Sequence, residues 1–428
     1  MSVASSLADV LPSQALSDDW TSPGSGAEAG AEPEAVVHPE STEEVAATMR
    51  WASAHGVGVL PVASGQRLRG RPIDGRFVVL RTDRLTVLEI YEPADLTFTA
   101  RAGTPMAVLA EWLGAHGQWL PFDPPNVGER SLGGLVATGE SGPVWMGYGE
   151  LRNHVLGATV VTGDGRTLKL GGRVVKNVAG FDLLKPIVGS RGRLAVITSV
   201  CVRAFPRPAE DRLLVLTGQS AKALAAVAQA VGTAPIMPVS SVIVSPAPAL
   251  GAAAALLVRL HGSRATVEAD QRALERHCGG TFERAGDPET LLRAARDHAS
   301  RGVVLVARVL PSRLAAAIDV AHRALGEASG SSAAGIELAA DTYMAQLRVA
   351  APTVEPTAGA HLRDGVERLG GSLSVHGVAG SGAAGGDRGG PANDLASAAS
   401  QPRPHEAELA AGLERVFDPT GVLWPCRP

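Results

Sequence analysis

Between Ser131 and Pro143 the chain reads SLGGLVATGESGP, and no other stretch constrains its fold as tightly. Gly133, Gly134, Gly139 and Gly142 stand there among small residues. Glycine has no Cβ. Such a stretch can turn where other residues cannot, and it can bring bare N–H groups against a ligand or a neighbouring backbone. Two readings are open: turn glycines on a surface loop, or a backbone that closes on a phosphate or a flat ring. A second run of similar character, GGRVVKNVAGFDLLKPIVGSRGRLAVIT, follows from Gly171 to Thr198. The elements that flank these runs decide the fold class.

Those elements alternate. Ser41 followed by Glu44 is a capping-box pattern. Val45, Met49 and Ala52 then share one helical face, Gly56 stops the helix, and VGVLPV follows as a buried strand. FVVLRT and LTVLEI read as strands with a turn between them. LTFTARAG is a strand ending at Gly103. Thr104 and Pro105 open a helix that buries Val108, Leu109, Trp112 and Leu113. A Pro- and Gly-rich loop runs from Pro121 to Gly149. HVLGATVVTGDGRTLKLGG is a hairpin that turns at Gly163-Asp164-Gly165, and LAVITSVCVRAFP is a strand.

From Glu210 the short apolar strands LLVLTG, SVIVSP and VVLVARVL are separated by Ala-rich helices near 221–231, 266–278 and 312–324. That pattern predicts a small sheet covered by helices. The expected fold class is α+β throughout. Residues 1–33 read as a disordered tail, 34–208 as the first domain, and 209–377 as a smaller α+β domain. Residues 378–404 read as a flexible Gly/Ala/Pro-rich insertion, and 405–428 as a closing helix and turn.

Charge and cysteine usage narrow the function. The formal net charge is −4 and no long basic run occurs, which argues against nucleic acid as the main partner. Cys201, Cys278 and Cys426 are scattered and odd in number. They form no disulfide framework, and they are too few for an iron–sulfur cluster, which takes four thiolates. No HxH or HExxH pair occurs, so no metal site is expected. No apolar window approaches the ~20 residues of a membrane span, and no signal peptide is read. The expected location is the cytoplasm.

Taken together and in order, the motifs resemble the FAD-binding domain of the vanillyl-alcohol-oxidase (PCMH-type) superfamily. Within it the wording is closest to the FAD-binding GlcE subunits of bacterial glycolate oxidases. AGTPMAVLAEWLGAHGQWLPFDPP is similar to the family's helix and proline loop, and FDPTGVLWP to its closing segment. The resemblance covers roughly residues 34–206 well. It implies a PCMH-type FAD-binding domain of two α+β subdomains, followed by a cap domain, with FAD held non-covalently. It also implies a set of cofactor-binding residues. Ser64, Gly65 and Gln66 stand in the pyrophosphate loop, and Pro125 in the proline loop. Ser131, Gly133, Gly134, Gly139, Ser141 and Gly142 come from the first glycine segment, and Lys176, Asn177 and Ile197 from the second. Ala63, Ser64 and Gln66 depart from the usual Gly-rich wording of the loop, which predicts weakened FAD binding.

The implied activity is oxidation of glycolate or a related 2-hydroxy acid. The implied partners are a second FAD-containing glycolate oxidase subunit and an iron–sulfur subunit, with peripheral placement at the inner membrane through them. A self-contained FAD-dependent hydroxy-acid or alcohol dehydrogenase is the first alternative. A non-catalytic scaffold with a degenerate FAD site is the second. No histidine cluster stands between Glu210 and Ala360, so the sequence assigns no catalytic residue.

Overall fold

The computed structural model describes residues 3–17, 32–64, 75–172, 182–300, 302–326, 336–378 and 404–423. The first layer is a four-stranded sheet in the spatial order Leu16–Ser17, Val36–Val37, Phe77–Arg81, Gly58–Val62. The second and fourth of these run parallel to Phe77–Arg81. Parallel neighbours need a crossover, and helix Thr42–His55 supplies one. Ser41 caps that helix, its Oγ accepting from the Glu44 N–H at 3.1 Å, and the Glu44 carboxylate accepts from the Glu40 N–H at 2.9 Å. Gly56 ends it in the left-handed region, φ +61°.

Residues 3–17 depart from the loose tail expected over 1–33. Val3, Leu7, Leu11 and Ala15 recur every four positions and are all buried, in one core with Met49 and Trp51. Helix Val3–Leu7 is anchored further by the Trp51 indole N–H, which donates to Ser6 Oγ at 2.9 Å. The apolar spacing was present in the sequence but masked by the surrounding Ser, Ala and Asp. Residues 18–31 lie outside the described residues.

The second layer is an antiparallel five-stranded sheet in the order Leu88–Glu92, Thr97–Arg101, Ala195–Arg203, Val155–Thr162, Thr167–Gly171. Its last two strands are the expected hairpin, with Gly165 at φ +79°. Strand Ala195–Arg203 is buried on both faces. Val196 and Val161 reach into the first core, while Ile197, Val200 and Val160 join Phe98, Leu109 and Leu132 in a second. FVVLRT and LTVLEI thus belong to different sheets. The stretch from Pro121 to Gly149 is not all loop: Ser131 caps helix Leu132–Thr138, its Oγ accepting from the Gly134 N–H at 3.1 Å. Glycines inside a helix hid it from propensity.

The third layer is larger than the small sheet expected. Its eight strands are all antiparallel, in the order Glu283–Arg284, Glu210–Gly218, Ala254–Gly262, Ser240–Ser245, Glu337–Asp341, Gln346–Ala351, Val303–Arg308, Ser372–Val378. The apolar AAAALLV run is the heart of its strand Ala254–Gly262. Helices Ala221–Thr233, Arg264–Cys278, Leu314–Gly326 and Pro356–Arg368 supply the residues that bury one face against Leu256, Leu305, Leu338 and Leu347. Most of the proposed insertion, residues 379–403, lies outside the described residues. The chain then returns through helix Pro404–Phe417 to the first sheet, where the Val59 N–H donates to the Val422 carbonyl at 2.7 Å. Among the described residues no helix is long and apolar enough to cross a membrane.

Candidate functional site

Side chains alternate faces along a strand, so burial of Leu338, Ala340, Leu347, Val349, Leu305 and Ala307 under the helices sends their neighbours to the other side. Those neighbours are Val304, Val306, Arg308, Ala339, Asp341, Gln346 and Arg348, and with Val242 they line a cavity of about 550 Å³. Register orders them further. Val242 pairs with Asp341, Asp341 with Gln346, and Gln346 with Arg308, so four residues form one row across the sheet. Val242, Val304, Val306 and Ala339 are buried, so this wall is apolar apart from that row and Arg348.

The facing wall comes from the first glycine segment and the proline loop. Pro124, Pro125, Gly139, Ser141, Gly142 and Trp145 line it, with Arg130, Arg152 and Arg191 at its edge. On this floor Gly139 and Gly142 hold φ of +67° and +80°, and a side chain on either would run into the backbone of Gly189 or of Asp123. The floor is stiff. The Asp123 N–H donates to the Ser141 carbonyl at 3.0 Å, Asp123 Oδ1 accepts from the Val144 N–H at 3.0 Å, and Ser141 Oγ accepts from the Leu151 N–H at 2.8 Å. Buried Arg130 donates to Glu140 at 2.8 Å and to Thr138 Oγ1 at 2.5 Å.

Two sets of contacts fix the walls relative to each other. The Asn126 N–H donates to Asp297 Oδ1 at 2.8 Å. Tyr148 Oη lies 2.8 Å from His261 Nδ1, and His261 Nε2 lies 3.1 Å from Asp211. Arg259 forks onto the same Asp211 carboxylate at 2.9 and 2.5 Å. Burial works to raise the Asp211 pKa, but the bonds from Arg259 and His261 outweigh it and hold the carboxyl well below the usual range.

Two other carboxyls near the cavity behave oppositely. Burial pushes Asp341 up to about 7 and Asp123 up to about 6, against backbone bonds and nearby arginines that pull them down. A carboxyl whose folded pKa is raised stabilises the fold fully below its unfolded value. That contribution is lost as pH rises through the folded value. The apoprotein is therefore expected to lose on the order of a few kcal/mol between about pH 4 and pH 7 from these two groups. Denaturant unfolding of wild type and an Asp123→Asn/Asp341→Asn double variant across that window checks it. The variant should lack this part of the slope.

The structure separates the sequence-predicted residues into groups. Pro125, Gly139, Ser141 and Gly142 line the cavity. Ser64 is exposed at the end of strand Gly58–Val62. Gly134 faces that strand end, since a Cβ on it would lie 3.8 Å from Ala63 and 3.0 Å from Ser131 Oγ. Gly133 packs on the preceding strand, where a Cβ would lie 2.5 Å from Ala102 Cβ. Ile197 is a buried core residue. Gly65, Gln66, Lys176 and Asn177 lie outside the described residues. Sequence reasoning missed Asp341, Gln346, Arg348 and Arg308; Arg308 lies more than thirty positions before the other three, and the row forms only through strand register. The one local signal was a charge ending each of two apolar strands, LAAD and VVLVAR.

The backbone of the glycine segment, the apolar facing wall and the polar row suit a planar ring with polar edges, and so fit the ring system of a flavin. Known proteins resemble the chain as follows. Residues 33–171 match the model of the FAD binding domain family. Glycolate oxidase subunit GlcE of Escherichia coli (strain K12) is 41% identical over 151 residues, 35% of this chain and 43% of that protein. Glycolate oxidase subunit GlcD of Bacillus subtilis (strain 168) is 29% identical over 260 residues, 58% of this chain and 55% of that protein. D-lactate dehydrogenase of Archaeoglobus fulgidus is 34% identical over 207 residues, 48% of this chain and 46% of that protein. The chain thus spans about half the length of the curated relatives it matches. A solved structure of alkyldihydroxyacetonephosphate synthase superposes with a TM-score of 0.74 over 99% of this chain and 84% of that one. At 17% identity it speaks for the fold alone. The α+β fold class and the resemblance to the FAD-binding superfamily and its GlcE subunits both hold.

Proposed function

From the FAD-binding domain at residues 33–171 we propose that this chain is the FAD-binding subunit of a glycolate-oxidising complex, acting on glycolate or a related 2-hydroxy acid. The observation that carries the reading is the cavity itself. It lies between the glycine segment of the FAD-binding domain and a wall that presents Asp341, Gln346, Arg308 and Arg348. Bound FAD supplies the two-electron acceptor. The chain's own residues do the rest: arginines attract the substrate carboxylate, the apolar wall excludes water, and the backbone of the glycine segment backs the ring.

The FAD is held non-covalently. No His or Cys lines the cavity among the described residues. The proposed contacts on the cofactor are Ser64, Gly65, Gln66, Pro125, Gly134, Gly139, Ser141 and Gly142, with Lys176 and Asn177. Electrons leave through an iron–sulfur partner subunit, since the three scattered cysteines Cys201, Cys278 and Cys426 are too few for a cluster held by four thiolates. The complex is cytoplasmic, at the inner membrane through its partners.

The purified chain is expected to be yellow, with FAD released to the supernatant by acid precipitation. In steady state with glycolate and no artificial acceptor, the lone chain should fall well below the ~10 per second typical of enzymes and recover with its partners, through which its electrons leave. A colourless protein that takes up no added FAD would favour the scaffold reading. Full turnover by the lone chain would favour the self-contained dehydrogenase, a reading that the carboxylate and arginines of the cavity support.

A further inference from the structure

We infer that Asp341 accepts the hydroxyl proton of the bound 2-hydroxy acid while Arg308 holds its carboxylate, so that oxidation takes place in this subunit rather than in a partner. The inference rests on the function proposed above and assigns its missing chemistry.

Geometry makes the case. Asp341 ends strand Glu337–Asp341 on the cavity face and is 8% exposed. One of its oxygens, Oδ1, accepts both the Tyr343 and Met344 N–H groups, at 3.0 and 2.9 Å, which fixes the side chain in a turn. The other oxygen carries no hydrogen bond and no ion pair among the described residues. The turn needs only an acceptor, which a neutral amide supplies equally well, so it does not explain an ionisable group here. A buried carboxyl beside Val242, on a wall that is apolar apart from this row and Arg348, is costly unless its charge is used.

The row supplies the second contact. Gln346 lies between Asp341 and Arg308, placing their Cα atoms two strand spacings, about 10 Å, apart. That gap suits a small acid with one end on each side chain, since the arginine reaches inward with a planar fork that matches a carboxylate. Arg308 is exposed toward the cavity and enters no ion pair among the described residues. In the step, the substrate O–H bond breaks and its proton goes to an Asp341 oxygen. The hydrogen on the neighbouring carbon leaves with its electron pair for FAD, the oxidant, and the new C=O bond completes the 2-oxo acid. Burial and the neighbouring Asp123 raise the Asp341 pKa to about 7, which suits a proton acceptor working near neutrality. Arg348 on the next strand pulls the other way, and Glu150 and Arg152 face the same space from the opposite wall.

The test compares full-length, FAD-loaded wild type with Asp341→Asn and Arg308→Met. Flavin reduction by glycolate and by D-lactate is followed by absorbance in a single anaerobic turnover from pH 5 to 9. Binding of oxalate, which cannot be oxidised in this way, is measured by calorimetry. Asp341→Asn keeps the turn and removes only the proton acceptor. It should retain its flavin, bind oxalate within about threefold of wild type, and be reduced about 100-fold or more slowly. The wild-type rate should rise with pH to a plateau through an apparent pKa near 7, and that rise should vanish in the variant. Arg308→Met should weaken oxalate about tenfold or more. Wild-type reduction rates in Asp341→Asn, or loss of oxalate binding there as severe as in Arg308→Met, would overturn the role of Asp341 alone. If no 2-hydroxy acid reduces the wild-type flavin, the proposed function falls and the proton acceptor with it.

Discussion

A Gly134→Val protein is expected to fold and to purify without its flavin. Gly134 sits in the first turn of helix Leu132–Thr138, and its missing side chain points at Ser131 Oγ and, beyond it, at Ala63. A valine there meets one small side chain, which can give by a few tenths of an ångström, and no backbone. It fills the gap between the glycine helix and the end of strand Gly58–Val62, where the proposed pyrophosphate loop begins. Its neighbour is the control. A valine at Gly133 drives into Ala102, whose carbonyl also accepts the Gly133 N–H at 2.7 Å. Overpacking of this kind costs about 1–3 kcal/mol. The flavin-to-protein absorbance ratio should therefore fall to baseline in Gly134→Val with its thermal unfolding little changed. Gly133→Val should show a clearly lowered unfolding midpoint. A yellow, stable Gly134→Val protein would mean that the cofactor does not pass between these two segments.

Asp418→Ala should destabilise the fold by about 2–4 kcal/mol, a large effect for a residue ten positions from the end of the chain. Asp418 is buried, and its two oxygens accept the Val422 N–H at 3.0 Å and the Leu423 N–H at 2.8 Å. These bonds hold the closing segment so that Val59 can donate to Val422 and extend the first sheet. Alanine leaves two buried donors without an acceptor, each costing about 1–3 kcal/mol. Gly163 reinforces the arrangement, since any side chain there would collide with the Asp418 carboxyl. Denaturant unfolding of Asp418→Ala and Asp418→Asn separates the effects. The amide keeps one acceptor and should recover about half of the loss. An alanine variant as stable as wild type would remove Asp418 from the account of the FDPTG motif.

The N-terminal half was legible because its signals are local. The Ser41–Glu44 cap, the Val45–Met49–Ala52 stripe and the Gly163-Asp164-Gly165 turn each lie within one or two turns of chain, and each formed where the pattern put it. Helix Leu132–Thr138 was lost because glycine counts against a helix, while its glycines answer to tertiary packing on Ala102. Residues 3–17 were lost for the reverse reason. Four small or medium apolar residues look weak in isolation, and they matter only because Met49 and Trp51 are there to receive them.

By itself the sequence determined the α+β class and most of the strands and helices of the first domain, while the FAD-binding character of its first glycine segment came through resemblance to a known family. The class and the elements rest on spacing over a few residues, which a linear chain displays directly. Only the tertiary structure decided what the cavity contains. Asp341, Gln346 and Arg308 come from three strands, and Arg308 lies more than thirty positions before the other two. Their neighbourhood depends on which strands pair and in what register. A slip of one residue would send all of these side chains to the helix-covered face. That register is set by the burial of Leu305, Leu338 and Leu347 under helices elsewhere in the chain, so the chemistry of the site becomes visible only once the core has formed.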